Sequence, residues 1–312
     1  PPFVETVVVA AGLSALGKEI SADWIHRVEI FKRISESASQ RIITPGMIAR
    51  VMMDEFGGLK NIPPGARRLA LLNQADTPEV QAQARGLAEM LWGAYDAAVI
   101  ASLDSAIQRF GGPLIHAVIE PVAGIVLAAG ESKRYGSPKQ LLEWRGKPLV
   151  RHAAEAALTA GLSPVVVVTG ANAGQIKSAV AGLPLTITHN PSWQNGQSTS
   201  IRAGLQVLPP NAGAAIFLLA DQPQVTPAVL RGLVDSHAVT LAPITAPLVL
   251  ERRANPVLFD RDTFPDLMAL TGDTGGRAIF DRHRVNYLSW HDQGLLDDVD
   301  TPDDYRRLVD GR

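Results

Sequence analysis

Apolar residues fall along this chain in short continuous runs separated by stretches of helical spacing, and the alternation is clearest after residue 120. Ile125-Val126-Leu127-Ala128-Ala129 is too short for a typical helix and is bounded by glycine, which predicts a buried strand. Pro148–Ala160 has helical spacing and ends at Gly161. Pro164–Val168 reads as a second strand, Ala173–Val180 as a helix, Leu185–Thr188 as a third strand and Ile216–Ala220 as a fourth. Such strands alternating with helices predict a parallel sheet covered on both faces, a doubly wound α/β domain over residues 122–312. Ligands of these sheets bind beyond the carboxyl ends of the strands, which is where polar residues cluster here.

Before residue 121 the alternation is thinner. Thr6–Ala11, Arg68–Leu72 and Ala97–Leu103 read as strands and Glu79–Trp92 as a helix, while Thr44-Pro45 caps another that Gly57-Gly58 ends. Three strands make a thin sheet, so residues 1–121 are expected to form a smaller, incomplete α/β domain. Gly111-Gly112-Pro113 marks its boundary, with His116–Pro121 as a linker. The chain opens Pro1-Pro2 without Met, which leaves open what precedes it.

At 312 residues, 46% hydrophobic and 19% charged, the composition is that of a globular protein of two domains. A net charge of -2 supplies no basic surplus for general nucleic-acid or membrane-surface binding, so anion recognition has to be local. With no cysteine there is no disulfide, thiolate catalysis or Cys-ligated metal, which fits a reducing cytoplasm. No apolar run approaches the ~20 residues of a membrane span.

The local anion site is the loop after the first strand of the larger domain. From Gly130 it carries Lys133, Arg134 and Lys139 among glycines, so backbone N–H groups can approach a polyphosphate that the cations neutralise. Its spacing is neither G-x-G-x-x-G nor a P-loop. Gly12–Lys18 does match G-x-x-x-x-G-K, but Glu19 replaces the magnesium-binding hydroxyl, and a glycine turn is the expected reading. Asn73–Asp76 reads as a turn after a strand. Asp221 follows the fourth strand, with Pro223 fixing the turn; such a carboxylate suits a magnesium ion, but on its own a turn residue is the expected reading. Asp298 and Asp300 alternate across one residue and repel unless a cation lies near, whereas Asp303 and Asp304 open a helix after Thr301-Pro302. The histidines show no metal-ligand spacing, and Trp144, Trp193 and Trp290 are expected to be packing residues.

L-A-A-G-x-x-x-R-x-G-x-x-K, here Leu127–Lys139, resembles the signature of nucleotidyltransferases, and over residues 122–312 the chain is most similar to the molybdenum cofactor cytidylyltransferases. The resemblance implies a Rossmann-like fold that transfers CMP from CTP to the terminal phosphate of a molybdopterin-type cofactor, releasing diphosphate. It implies Mg²⁺, with Mn²⁺ as an alternative, and a molybdenum hydroxylase as client. Arg134, Lys139 and Asp221 take the catalytic roles. Leu127, Ala128, Ala129, Gly130, Arg134, Lys139, Gly196 and Ser200 contact the nucleotide; Asp221, Asp300 and Asp298 hold the metal; and Arg253, Asn255, Asp273 and Arg277 receive the acceptor. The serines around Gly196 also read as helix caps. Ala254 stands where the family usually has glycine. A sugar- or polyol-phosphate nucleotidyltransferase and a non-catalytic cofactor chaperone are the alternative readings.

Blocks within residues 3–103, VVVAAGLSALGK, ITPGMIARVM, GGLKNIPPGAR and LLNQAD among them, resemble the selenium-dependent hydroxylase accessory family. That family's nucleotide-binding loop before the first strand has no counterpart here, so the segment is expected to be the later half of such a domain, without nucleotide hydrolysis.

Overall fold

A computed structural model describes residues 4–5, 69–72, 78–90, 97–102, 114–132 and 135–310. The strand expected at Thr6–Ala11, the Gly12–Lys18 turn, the helix after Thr44, the Asn73–Asp76 turn and the cations Lys133 and Arg134 lie outside the described residues. Chain contacts divide the molecule into two units, Pro1–Pro121 and Val122–Arg312.

In the first unit, β1 (Val4–Glu5), β2 (Leu69–Leu72), β3 (Ala97–Ser102) and β4 (Leu114–Ile119) form a sheet in that order. The crossover from β2 to its parallel neighbour β3 runs through α1 (Pro78–Met90), whose Ala84 and Ala88 are buried. The expected linker at His116–Pro121 is mostly strand. β4 pairs antiparallel with β3 and buries Ala117 and Val118, neighbours that face opposite sides of the sheet, so the apolar run continues past the single histidine.

The second unit is built on an eight-stranded sheet. β5 (Val122–Ala128), β8 (Val165–Thr169), β9 (Thr186–His189) and β10 (Ala214–Leu219) are parallel, in the spatial order β10-β5-β8-β9. The sheet as a whole is mixed, which corrects the all-parallel expectation. β13 (Val257–Asp260) pairs antiparallel with β10, and β11 (Ile244–Val249) antiparallel with both β13 and β12 (Arg252–Arg253). β14 (Val285–Ser289) lies parallel to β11. A small hairpin of β6 (Glu143–Trp144) and β7 (Lys147–Pro148) stands apart.

Helices cover both faces because the period-2 alternation of the apolar strands sends side chains to each. Val126, Val167, Ile216 and Leu218 join one core with α2 (Leu149–Thr159), α3 (Ala173–Ala179) and α5 (Pro227–Thr240). Ile125, Val166, Val168 and Phe217 join the other with α4 (Gln197–Gln206) and α6 (Phe264–Met268). The chain closes with α7 (Pro302–Asp310). Chain order reverses between β5 and β10, which creates a crevice beyond their carboxyl ends. No helix among the described residues is long and apolar enough to cross a membrane.

Candidate active site at the carboxyl edge of β5 and β10

The crevice holds two neighbouring cavities that share Leu127 at the end of β5, Leu219 at the end of β10, and Gln197. The smaller, about 220 Å³, is lined by Ala129, Gly130, Lys139, Gly196, Ser200 and Asp221, with Trp193 and Asp273 beside them. The larger, about 440 Å³, is lined by Arg252, Arg253, Asn255, Arg277, Gln222 and Asp298.

The basic loop is folded back on itself by one buried amide. Gln140 donates from Nε2 to the Gly130 carbonyl at 2.9 Å and accepts from Ser132 Oγ at 3.2 Å, while the Lys139 N–H donates to the same hydroxyl at 3.1 Å. This fixes the short helical turn Lys139–Leu141 and aims the lysine across the crevice. Its ammonium lies 2.5 Å from Asp221 Oδ2 and 2.7 Å from Asp300 Oδ1. Burial favours the neutral amine, but the charges and hydrogen bonds of Asp221 and Asp300 outweigh it and raise the Lys139 pKa above its ordinary value.

The carboxylates come from two distant parts of the chain. β10 delivers Asp221, and the Val299 N–H donates to the Asp221 carbonyl at 3.1 Å, so Asp298 and Asp300 flank an anchored residue. Gln222 donates from Nε2 to Asp298 Oδ1. Burial raises the Asp298 pKa; Gln222 opposes the shift, and the charges of Asp221 and Asp300 add to it. Asp300 is held from behind, its N–H donating to Asp304 Oδ2 at 3.1 Å. Thr301 and Asp304 cap α7 reciprocally: Asp304 Oδ2 accepts from the Thr301 N–H at 2.7 Å, and Thr301 Oγ1 accepts from the Asp304 N–H at 3.2 Å.

The donor set fits a divalent ion that prefers oxygen. Asp221 and Asp300 meet at Lys139, Asp298 is near enough to feel both charges, and Asp221 Oδ1 is buried without a hydrogen-bond partner, although the three do not offer oxygens within 4.8 Å of one another.

The segments around Gly196 and Gly272 form one structure. Ser198 Oγ donates to the Gly272 carbonyl at 2.7 Å, and the Gln197 N–H donates to Asp273 Oδ1 at 3.3 Å, across 76 residues of sequence. The start of α4 is thus capped by the later loop. Ser200 is buried and its Oγ accepts from Asn190 Nδ2 at 3.0 Å, leaving its own hydrogen free to donate. Gly170 matters for a different reason: a Cβ there would lie 2.5 Å from the Ala129 carbonyl and 2.8 Å from Trp193, so glycine permits the indole to close over the loop.

Most sequence-expected residues meet in this crevice. Leu127, Ala129, Gly130, Lys139, Gly196, Ser200 and Asp221 border the smaller cavity, and Arg253, Asn255, Arg277 and Asp298 the larger. The Arg253 guanidinium lies over the Phe280 ring, 5.6 Å from its centroid. Asp273 borders the smaller cavity and accepts from the N–H of Gln197, a residue that lines both cavities. Ala128 packs into the core, and Asp300 reaches the site through Lys139. Sequence reasoning gave no role to Gln140 or Gln222; Trp193, expected to pack by composition and to belong to a nucleoside-contacting loop by resemblance, borders the smaller cavity. The one available signal was a polar residue beside apolar neighbours, as in Gln140-Leu141-Leu142.

Residues 124–287, just over half the chain, match the family of the MobA-like NTP transferase domain. The chain belongs to that family. It is 33% identical over 198 residues to the nicotine blue oxidoreductase of Paenarthrobacter nicotinovorans, covering 60% of this chain and 96% of the relative. It is 30% identical over 200 residues to the purine catabolism protein PucB of Bacillus subtilis, covering 58% and 93%. Among solved structures, Rv0371c from Mycobacterium tuberculosis superposes with a TM-score of 0.55 at 33% identity, covering 61% of this chain and 98% of that one. Rv0371c has also been solved in complex with manganese, at a TM-score of 0.55 and 31% identity over 62% of this chain and 100% of that one. Membership makes this a nucleotidyltransferase fold.

Proposed function

We propose that the chain transfers CMP from CTP to the terminal phosphate of a molybdopterin-type cofactor and releases diphosphate. The observation that carries this reading is that Lys139 ties Asp221 and Asp300 together beside one cavity, bordered by the glycine loop, while Asp298 borders the neighbouring one, lined by arginines. The smaller cavity would hold the nucleotide, shaped by Leu127, Ala129, Gly130, Gly196 and Ser200, with Ala128 setting the strand end from the core. Asp273, on the same side, is assigned there as well. The larger would hold the acceptor, its phosphate facing Arg253 and Arg277, with Asn255 beside them.

An acceptor phosphate oxygen attacks the nucleotide α-phosphorus, the bond to the bridging oxygen of the β-phosphate breaks, and diphosphate leaves with the electron pair. The nucleophile arrives ionised, so no general base is required. Lys139 and Arg134 stabilise charge on the leaving group. Asp221, Asp298 and Asp300 would hold Mg²⁺ or Mn²⁺, which when bound acts as a Lewis acid on phosphoryl oxygens.

We further propose two domains, 1–121 and 122–312, the first related to the selenium-dependent hydroxylase accessory family. A molybdenum hydroxylase as client and a cytoplasmic location complete the reading. The test mixes the full chain with CTP, Mg²⁺ and molybdopterin and measures diphosphate together with the mass of the dinucleotide. Binding without diphosphate release would favour a carrier, release with a sugar phosphate alone would favour the other transferase class, and redox turnover without release would overturn transfer altogether.

A further inference from the structure

Lys139 stands where two cations have a claim. Its ammonium contacts Asp221 Oδ2 at 2.5 Å and Asp300 Oδ1 at 2.7 Å, and its side chain is only 17% exposed. A divalent ion would need its carboxylate oxygens at about 2.0–2.1 Å, so ion and ammonium cannot share Asp221 Oδ2 and Asp300 Oδ1, whereas Asp221 Oδ1 stays open to the ion. The same lysine borders the smaller cavity beside Gly130 and Gln140, where a polyphosphate would lie on the reading above. Its flexible four-carbon stem lets the ammonium change partners while the Ser132 and Gln140 contacts hold the backbone still.

We propose that Lys139 is an internal counter-ion of the carboxylate cluster, and that it yields the carboxylates to a divalent ion when a nucleoside triphosphate offers the ammonium a new partner. In the free protein the lysine keeps Asp221 and Asp300 from driving each other apart. A divalent ion that arrives alone and binds both carboxylates through those oxygens has to break the two contacts and leave the ammonium part-buried without a counter-charge, whereas through Asp221 Oδ1 alone it gains one weak ligand. A triphosphate removes that cost. Metal and nucleotide therefore strengthen each other's binding, and by linkage each raises the other's affinity by the same factor. The proposal rests on assigning the cluster to a divalent ion and the smaller cavity to a triphosphate.

The experiment is a titration of the full chain with Mn²⁺, following free Mn²⁺ by electron paramagnetic resonance, with and without the α,β-methylene analogue of CTP and with no acceptor present. Without nucleotide, Lys139→Met should bind Mn²⁺ about tenfold more tightly than wild type, the factor expected if the lysine leaves the site about a tenth competent. Lys139→Arg keeps the cation and should stay weak. The analogue should tighten Mn²⁺ binding to wild type more than to Lys139→Met. Equal or weaker Mn²⁺ binding by Lys139→Met, or equal tightening of both, overturns the proposal. If circular dichroism shows Lys139→Met unfolded, acetylation of Lys139 in the wild type decides: saturating Mn²⁺ should accelerate it, and an unchanged rate overturns the exchange. No turnover is read, so a failure to release diphosphate in the activity assay would sink the reaction and leave this result standing, and the reverse also holds.

Discussion

A Cβ on Gly196 would lie 2.3 Å from the carbonyl carbon of Gly272, and Gly196 itself adopts φ +101°. Both facts exclude a side chain: the backbone angle is one that L-residues avoid, and the obstacle is backbone that has no rotamer to change. Gly196→Ala should therefore destabilise the protein by about 2 kcal/mol or more. Thermal unfolding checks this, with a fall of about 4 °C or more expected for a unit of this size. Gly174→Ala, in helix α3 where a Cβ meets nothing within 4 Å, is the control and should hold or slightly raise the midpoint.

Asp221 is the carboxylate that β10 carries to the seam, and one of its oxygens is buried without a partner. Asp221→Ala should lower turnover by about a thousandfold or more, the scale of losing several kcal/mol of electrostatic transition-state stabilisation. Circular dichroism should show the fold retained. A folded variant that releases diphosphate at near wild-type rate would remove Asp221 from the chemistry.

The parallel half of the large sheet was legible because β5, β8 and β10 are nearly continuous apolar runs, the pattern of strands covered on both faces. The antiparallel half was not. Pro247 interrupts β11 and argues against a strand, yet its carbonyl still accepts from the Ala254 N–H at 3.0 Å. β14, Val285–Ser289, is only partly buried and reads as polar. In the site, charged residues after strand ends announced themselves, since charge at the mouth of an apolar element needs a reason. The amides did not. Gln222 acquires a function only when folding brings Asp298 to it across 76 residues, and nothing local encodes that meeting. Trp193 looked like packing because an indole buries well anywhere; Gly170, which lets it approach Ala129, gives the closure away only in three dimensions.

The β11–β12 hairpin turns through Leu250 and Glu251 with φ +48° and +60°, between the paired residues Val249 and Arg252. This is the two-residue turn that favours Asn-Gly, and here it carries two residues poorly suited to it, with Leu250 68% exposed. Replacing Leu250→Asn and Glu251→Gly together should stabilise the protein by about 1 kcal/mol. A chemical denaturation midpoint that rises with unchanged slope is the expected result.

Asp304 gives a pH signature. Hydrogen bonds from the Thr301 side chain, more than offsetting partial burial and aided by the backbone N–H groups of Thr301 and Asp300 and the charge of Arg307, lower its pKa below the ordinary 3.8. A carboxyl depressed in the folded state stabilises fully above its unfolded pKa and loses that contribution as pH falls through the folded value. Asp304→Ala should thus be less stable than wild type at pH 7, by about 1 kcal/mol on the scale of a lost helix cap. The difference should narrow only below about pH 4, as the wild-type carboxyl protonates. Unfolding midpoints measured from pH 7 to pH 3 check both the gap and its closure.

Ala129 tests nucleotide choice. In the structure Ala129 borders the smaller cavity and has no room to retreat, since its carbonyl accepts from the Ala171 N–H at 3.1 Å and Gly170 and Trp193 press from behind. A purine passing that methyl would have to shift a loop that Gln140 and Gly170 hold in place. Size alone discriminates weakly; donors and acceptors matched to cytosine, left unpaired by another base, add about 1–3 kcal/mol each. The expected result is a higher kcat/KM for CTP than for GTP, with the ratio falling in Ala129→Gly. Equal use of the two by wild type would refute the preference, and an unchanged ratio in the variant would shift its cause from the methyl to the polar contacts deeper in the cavity.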